Sequence, residues 1–204
     1  VDKQNIKQLN KDLDVDVLII GGGITGISTA YHLKESNLKI CLVDQDIIGH
    51  GVSGKTTGKL TFLQELIYSK LTDEYSIEIA NKYLKSQKDA IKIVEDIINK
   101  NNINCDYNRV DSYIFADSIK DMDKIKKEKE ILEKLGVSVT ELNDLPISLK
   151  CYCAIKVGDT AVFHPVKYLY SLKKILIDKG IEIYERTKII EIKKEKEKYV
   201  CFTE

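Results

Sequence analysis

The chain has 204 residues, enough to bury a full-sized core, and its 32 basic and 32 acidic residues cancel to a formal net charge of zero. That balance argues against nucleic acid or an anionic membrane surface as the main partner. No apolar run approaches the roughly 18 residues of a bilayer-spanning helix, no signal peptide precedes the first apolar segment, and the five cysteines are an odd number better suited to reduced thiols, so the expected compartment is the cytoplasm.

Val17 to Ile20, VLII, is a β-branched apolar run of the kind buried on both faces of a parallel sheet. It ends at Gly21, and Gly21, Gly23 and Gly26 form G-x-G-x-x-G. The first glycine permits the sharp turn, the second lets backbone approach a pyrophosphate, and the third allows a helix to pack closely on the strand. Ile24 to Leu33 then reads as a helix whose N-terminal amides and positive dipole end point at phosphates. Ile40 to Val43 is a second strand. Asp44 closes it, eighteen residues after Gly26, where a carboxylate accepts hydrogen bonds from ribose hydroxyls and repels a 2′-phosphate.

A loop rich in glycine and hydroxyls, GHGVSGKTTGKL, follows from Gly49 to Leu60. Helical spacing of apolar residues from Asp73 to Asn99 predicts one long helix or two consecutive ones. DSYIFA, from Asp111, is a strand, and the charged segment from Ser118 to Gly136 is a helix with Met122, Ile125, Ile131, Leu132 and Leu135 as its buried stripe. CYCAIKVG, from Cys151, is another strand. Cys151 and Cys153 stand two apart on it, which is packing rather than a metal site in the absence of a second pair or nearby histidines. A helix follows, capped by His164, with Pro165 at its first position and Gly180 just past its end. IEIYE, from Ile181, is then a parallel strand, and the segment from Thr187 to Phe202 is a hairpin with a charged turn.

A dinucleotide dehydrogenase would continue alternating strand and helix directly after the acidic residue. Here a polar loop, long helices and antiparallel strands intervene, which suits a flavoprotein. DVLIIGGGITGISTAYHL, GHGVSGKTTGKLT, FHPVKYL and ERTKIIEI together resemble the N-terminal part of an FAD-dependent oxidoreductase of the D-amino-acid oxidase and glycine oxidase superfamily. More narrowly, they are similar to the bacterial branch in which a C-terminal Rieske iron–sulfur domain follows.

The resemblance implies an α/β fold: a Rossmann-like FAD-binding domain with a parallel sheet, over 12–104 and 158–204, interrupted by part of an antiparallel substrate domain over 105–157. It implies that Gly21, Gly23 and Gly26 hold the pyrophosphate and Asp44 the adenosine ribose. Ser53, Thr56 and Thr57 would serve the pyrophosphate and ribityl chain, Gly58 and Lys59 would pass near the ring system, and the Ile189 backbone would meet adenine. Lys55 stands where some relatives carry a histidine that bonds covalently to flavin, so FAD here is expected to be non-covalent. A 2Fe-2S centre would belong to the parent protein, outside this chain. The implied partners are a small-molecule substrate or a redox partner. The alternatives are a non-catalytic FAD-binding or assembly module and an NAD-binding domain. No side chain stands out as a general base. The chain reads as a fragment lacking the superfamily's last sheet strand, which leaves the Val17 to Ile20 edge open and favours self-association.

Overall fold

The glycine segment folds as strand, turn and helix: β1 spans Val17–Ile20, α1 Ile24–Leu33 and β2 Ile40–Val43. This is a computed structural model, and it describes residues 6–204. By its internal contacts the chain divides into two units.

Among the described residues, the first unit comprises 6–57, Ile103–Cys105 and His164–Glu204. At its centre β1 pairs with β2 in parallel, Val17 opposite Ile40 and Ile20 opposite Val43. Beyond β2 the chain forms β3 Lys59–Leu60, α2 Ile67–Glu74, α3 Ile77–Lys100, β4 Asn108–Ala116, α4 Met122–Lys134, β5 Val139–Leu142, β6 Cys153–Val162, α5 Pro165–Asp178, β7 Glu182–Tyr184, β8 Ile189–Glu195 and β9 Lys198–Thr203. Of these, β7 joins the far side of β2 in parallel, with Leu42 opposite Ile183, to give the order β1-β2-β7. All four β2 residues are buried, because β2 is the middle strand. The expectation that β1 is buried on both faces needs correcting. Only Ile19 is buried; Ile20, the last residue of the strand, is half exposed at the sheet's C-terminal end, and among the described residues no strand pairs with the outer edge of β1.

Helices α1 and α5 complete this unit's core with Ile27, Ala30, Leu169, Leu172 and Leu176. His164 begins α5, its Nδ1 accepting from Lys167 N at 3.4 Å, while Pro165 takes the first turn. Strands β8 and β9 form an antiparallel hairpin, with Ile192 opposite Cys201.

The second unit comprises Gly58–Asn102 and Asp106–Phe163. Strand β6 pairs antiparallel with β3, β4 and β5. The helices bury a shared core of Tyr68, Ala80, Leu84, Ile91, Leu132, Ile155 and Val157. These boundaries differ from the expected 105–157. Helix α3 clusters with this unit because its apolar stripe packs into this core. Strand β6 runs on to Val162 because, past a bulge, its last residues still pair with Asn108–Val110. The helical segment expected from Asp73 is two helices. The break falls at Tyr75 and Ser76, and the Ser76 hydroxyl caps α3 by accepting from Ile79 N.

Glu128 lies fully buried on α4 and accepts bonds from Tyr68 N at 3.0 Å, Ser69 N at 2.7 Å and the Ser69 hydroxyl. Those amides belong to the first turn of α2, so a carboxylate from another helix provides the cap that α2's own sequence lacks.

Candidate functional site

In an open parallel sheet the loops at the strands' C-terminal ends enclose a crevice. Here the loops after β1, β2 and β7 enclose a cleft of about 370 Å³ lined by Ile20, Gly21, Gly23, Asp44 to Asp46, Gly49, Gly51 to Ser53 and Thr187 to Ile189. It therefore brings together five of the residues singled out in the sequence: Gly21, Gly23, Asp44, Ser53 and Ile189.

The three motif glycines have separate local reasons. Gly21 turns the chain at φ +107°, a conformation that side chains resist. A Cβ on Gly23 would approach Ser53 Oγ to 3.1 Å, and one on Gly26 would sit 1.9 Å from the Gly21 carbonyl oxygen. Gly26 is thus the close-packing position and lies outside the cleft lining. Helix α1 has no side-chain cap from its own Gly23. Instead Ser53, from the loop after β2, accepts a bond from Ile24 N at 3.0 Å. The loop hydroxyl therefore sits where an anion would meet the helix N-terminus.

Asp44 is already engaged with backbone: Oδ2 accepts from Gly22 N at 2.6 Å and Oδ1 from Asp46 N at 2.7 Å. A carboxylate carries about four acceptor sites, so it can brace the turn and still receive a ribose hydroxyl. At the rim, His50 Nδ1 lies 2.5 Å from Asp46 Oδ2, and this bond, seconded by Ile47 N, holds the Asp46 carboxyl below its ordinary value.

Thr56, Thr57, Gly58 and Lys59 do not line the cleft. Thr56 and Thr57 end the first unit's first segment. Gly58 and Lys59 fall in the second unit, where Gly58 O accepts from Phe163 N at 3.0 Å and Lys59 opens β3 opposite Val162. Lys55 is exposed where the 3₁₀ turn Val52–Gly54 ends. Cys153 is buried on β6, and the Cys151 thiol meets the Asn143 carbonyl at 3.5 Å.

Several cleft-building residues went unnoticed in the sequence. Gly22 is the middle residue of the first G-x-G, and a Cβ there would lie 2.5 Å from Ile48 Cγ1 and 3.2 Å from Asp44 Oδ2. Ile48 is fully buried. The segment after β7 laces to the loop after β2: Arg186 N donates to Asp46 O at 3.0 Å, Thr187 N to Asp44 O at 2.8 Å, and Ile48 N to Glu185 Oε1 at 3.2 Å. The available signal was topological, since a strand parallel to β2 must deliver its following residues, ERTK, to the same crevice.

The chain matches the model of a family described as FAD dependent oxidoreductase over residues 16–203, nearly the whole described length. It belongs to that FAD-dependent oxidoreductase family. It is 33% identical over 193 residues to a protein of Bacillus subtilis strain 168 named putative Rieske 2Fe-2S iron-sulfur protein YhfW, covering 95% of this chain and 38% of that protein. Its fold matches that of the FAD-bound L-alpha-glycerophosphate oxidase of Mycoplasma pneumoniae, with TM-score 0.73 and 17% identity over 93% of this chain and 49% of that one. It also matches glycine oxidase of Geobacillus kaustophilus, with TM-score 0.70 and 16% identity over 93% of this chain and 51% of that one. This FAD-family chain thus spans 38% of the length of its Bacillus relative and about half that of the two solved chains. Among the described residues no helix is long and apolar enough to cross a membrane.

Proposed function

We propose that the cleft after β1, β2 and β7 holds FAD without a covalent bond, and that the protein oxidises a small molecule at a C–H bond next to an amine. The observation that carries the reading is the meeting of Gly21, Gly23, Asp44, Ser53 and Ile189 in one crevice of an FAD-family chain. The glycine turn and the N-terminus of α1 receive the pyrophosphate, with Ser53 exchanging its bond to Ile24 N for one to a phosphate oxygen. Asp44 orients the ribose, and the Ile189 backbone meets adenine. FAD contributes the redox chemistry, accepting a hydride equivalent or single electrons, while the chain binds and orients it. Lysine at position 55 has no imidazole to bond with flavin, so the cofactor dissociates.

The amine-adjacent substrate is suggested by the glycine oxidase likeness. A second reading, electron exchange with a Rieske centre outside this chain, is favoured by the printed name of the Bacillus subtilis relative. Acid precipitation of the full-length protein tests the cofactor assignment. The expected result is a yellow supernatant carrying intact FAD. Colour held in the pellet with a flavin adduct on a peptide, or no flavin at all, would overturn it.

A further inference from the structure

Lys173 on α5 and Glu185 just after β7 are both almost fully buried, their side chains 3% and 4% exposed, and their charged ends lie 3.5 Å apart. Lysine and glutamate are rarely buried this completely, and taking both from water costs more than a plain apolar contact would. Nothing in the dinucleotide motif calls for such a pair. Its geometry suggests what it does. Glu185 Oε1 is also the acceptor for Ile48 N, at 3.2 Å. Ile48 in turn packs on Gly22 so closely that even a methyl carbon there would be 2.5 Å away, and Gly22 N bonds to Asp44. A continuous series of contacts therefore runs from the ammonium on α5 through Glu185 and Ile48 to the glycine turn and the strand-end aspartate.

We propose that Glu185, held in place by Lys173, is a positioning residue that fixes Ile48 and through it the spacing between the glycine turn and Asp44. Glu185 does not line the cleft, so it touches no ligand. Its effect on FAD rests on the function proposed above. The physical reason for a charged acceptor is strength: a bond from an amide to a carboxylate is roughly twice as strong as one to a neutral oxygen, which suits a loop that must keep its shape while a ligand comes and goes. Lys173 also lies 4.8 Å from the centre of the Tyr170 ring, a contact that helps keep its ammonium on the α5 side of the pair.

The test compares two double variants of the full-length protein. Glu185→Gln with Lys173→Met removes both charges and keeps an oxygen to accept from Ile48 N. Glu185→Leu with Lys173→Met removes the charges and the acceptor while filling the volume, a replacement that buried ion pairs often tolerate without loss of stability. Glu185→Met with Lys173→Met serves the same purpose if the leucine shape does not fit.

Hydrogen exchange of the ligand-free proteins should be fastest in peptides covering 20–26 and 44–52 for the apolar variant and intermediate for the glutamine variant, whose neutral oxygen keeps a weaker bond, with peptides from β2 and α5 unchanged. FAD titration should give a dissociation constant within about threefold of the parent for the glutamine variant and at least about tenfold weaker for the apolar one, because a loop no longer held in shape has to be ordered when the ligand binds. If both double variants exchange and bind alike, the proposal fails. If the parent takes up no FAD, the proposed function fails, and the exchange comparison still decides the positioning role.

Discussion

Replacing Gly22 with alanine is the sharpest local probe of the cleft. The new methyl carbon would lie 2.5 Å from Ile48 Cγ1 and 3.2 Å from Asp44 Oδ2. Carbon atoms rest at about 3.5–4.0 Å, so roughly 1 Å of space has to open. Gly22 is outside the left-handed region of φ, which leaves contact as the whole of the cost. Ile48 cannot turn outward, because it is fully buried and its amide is tied to Glu185. The displacement therefore goes into the glycine turn and Asp44, both cleft walls. Overpacking of this kind costs about 1–3 kcal/mol, and each 1.4 kcal/mol that falls on binding weakens FAD about tenfold.

Fluorescence titration of FAD against the full-length protein should show that loss for Gly22→Ala. Ile48→Ala removes Cγ1 and leaves Cβ at 3.4 Å, an ordinary contact, so the double variant should recover most of the affinity. The coupling should reach about 1 kcal/mol. Losses that add within about 0.5 kcal/mol, or an unchanged Gly22→Ala, would refute the reasoning.

Three further outcomes are expected. Glu128→Ala strands the buried amides of Tyr68 and Ser69 and should lower stability to urea by about 3–5 kcal/mol, with Glu128→Gln losing less; equal losses under about 1 kcal/mol would contradict the capping role. Burial pushes the Cys41 thiol up to about 11, so iodoacetamide at pH 8 should label the partly exposed Cys151 and Cys201 well before Cys41, by peptide mass analysis. The Arg109 guanidinium, bonded to both oxygens of Glu95, holds that carboxyl below its ordinary 4.5. A depressed carboxyl contributes stability above its unfolded value and loses it as pH falls through the folded one, so Arg109→Leu should raise the Glu95 midpoint in an NMR titration and flatten the acid limb of the stability curve.

The dinucleotide half of the fold was legible because its requirements are local and steric. Gly21's φ is one that side chains resist, a Cβ on Gly26 would collide with the Gly21 carbonyl, and the apolar runs on either side name their strands. Asp44, Ser53 and Ile189 were found partly by family resemblance, and the crevice brings them together. Gly22, Ile48 and Glu185 escaped notice because their roles exist only across the sheet: Glu185 is 137 residues from the amide it holds. The same holds for Glu128, whose charge matched its exposed neighbours on α4 while its partners lay 60 residues back on another helix. Strand β5 was missed because Val139–Leu142 is four residues of mixed polarity, formed by its pairing with β6 rather than by its own propensity. Ile20 was expected inside as part of an apolar run, whereas it is the last residue of β1 and lines the open cleft.

The central claim, that this cleft is built for FAD, is tested most directly by calorimetric titration of the cofactor-free, full-length protein with FAD, NAD and NADP in parallel. FAD should bind most tightly, with NADP weakest, because the ribose role proposed for Asp44 would set its carboxylate against a 2′-phosphate. NAD binding equal to or stronger than FAD would contradict the account.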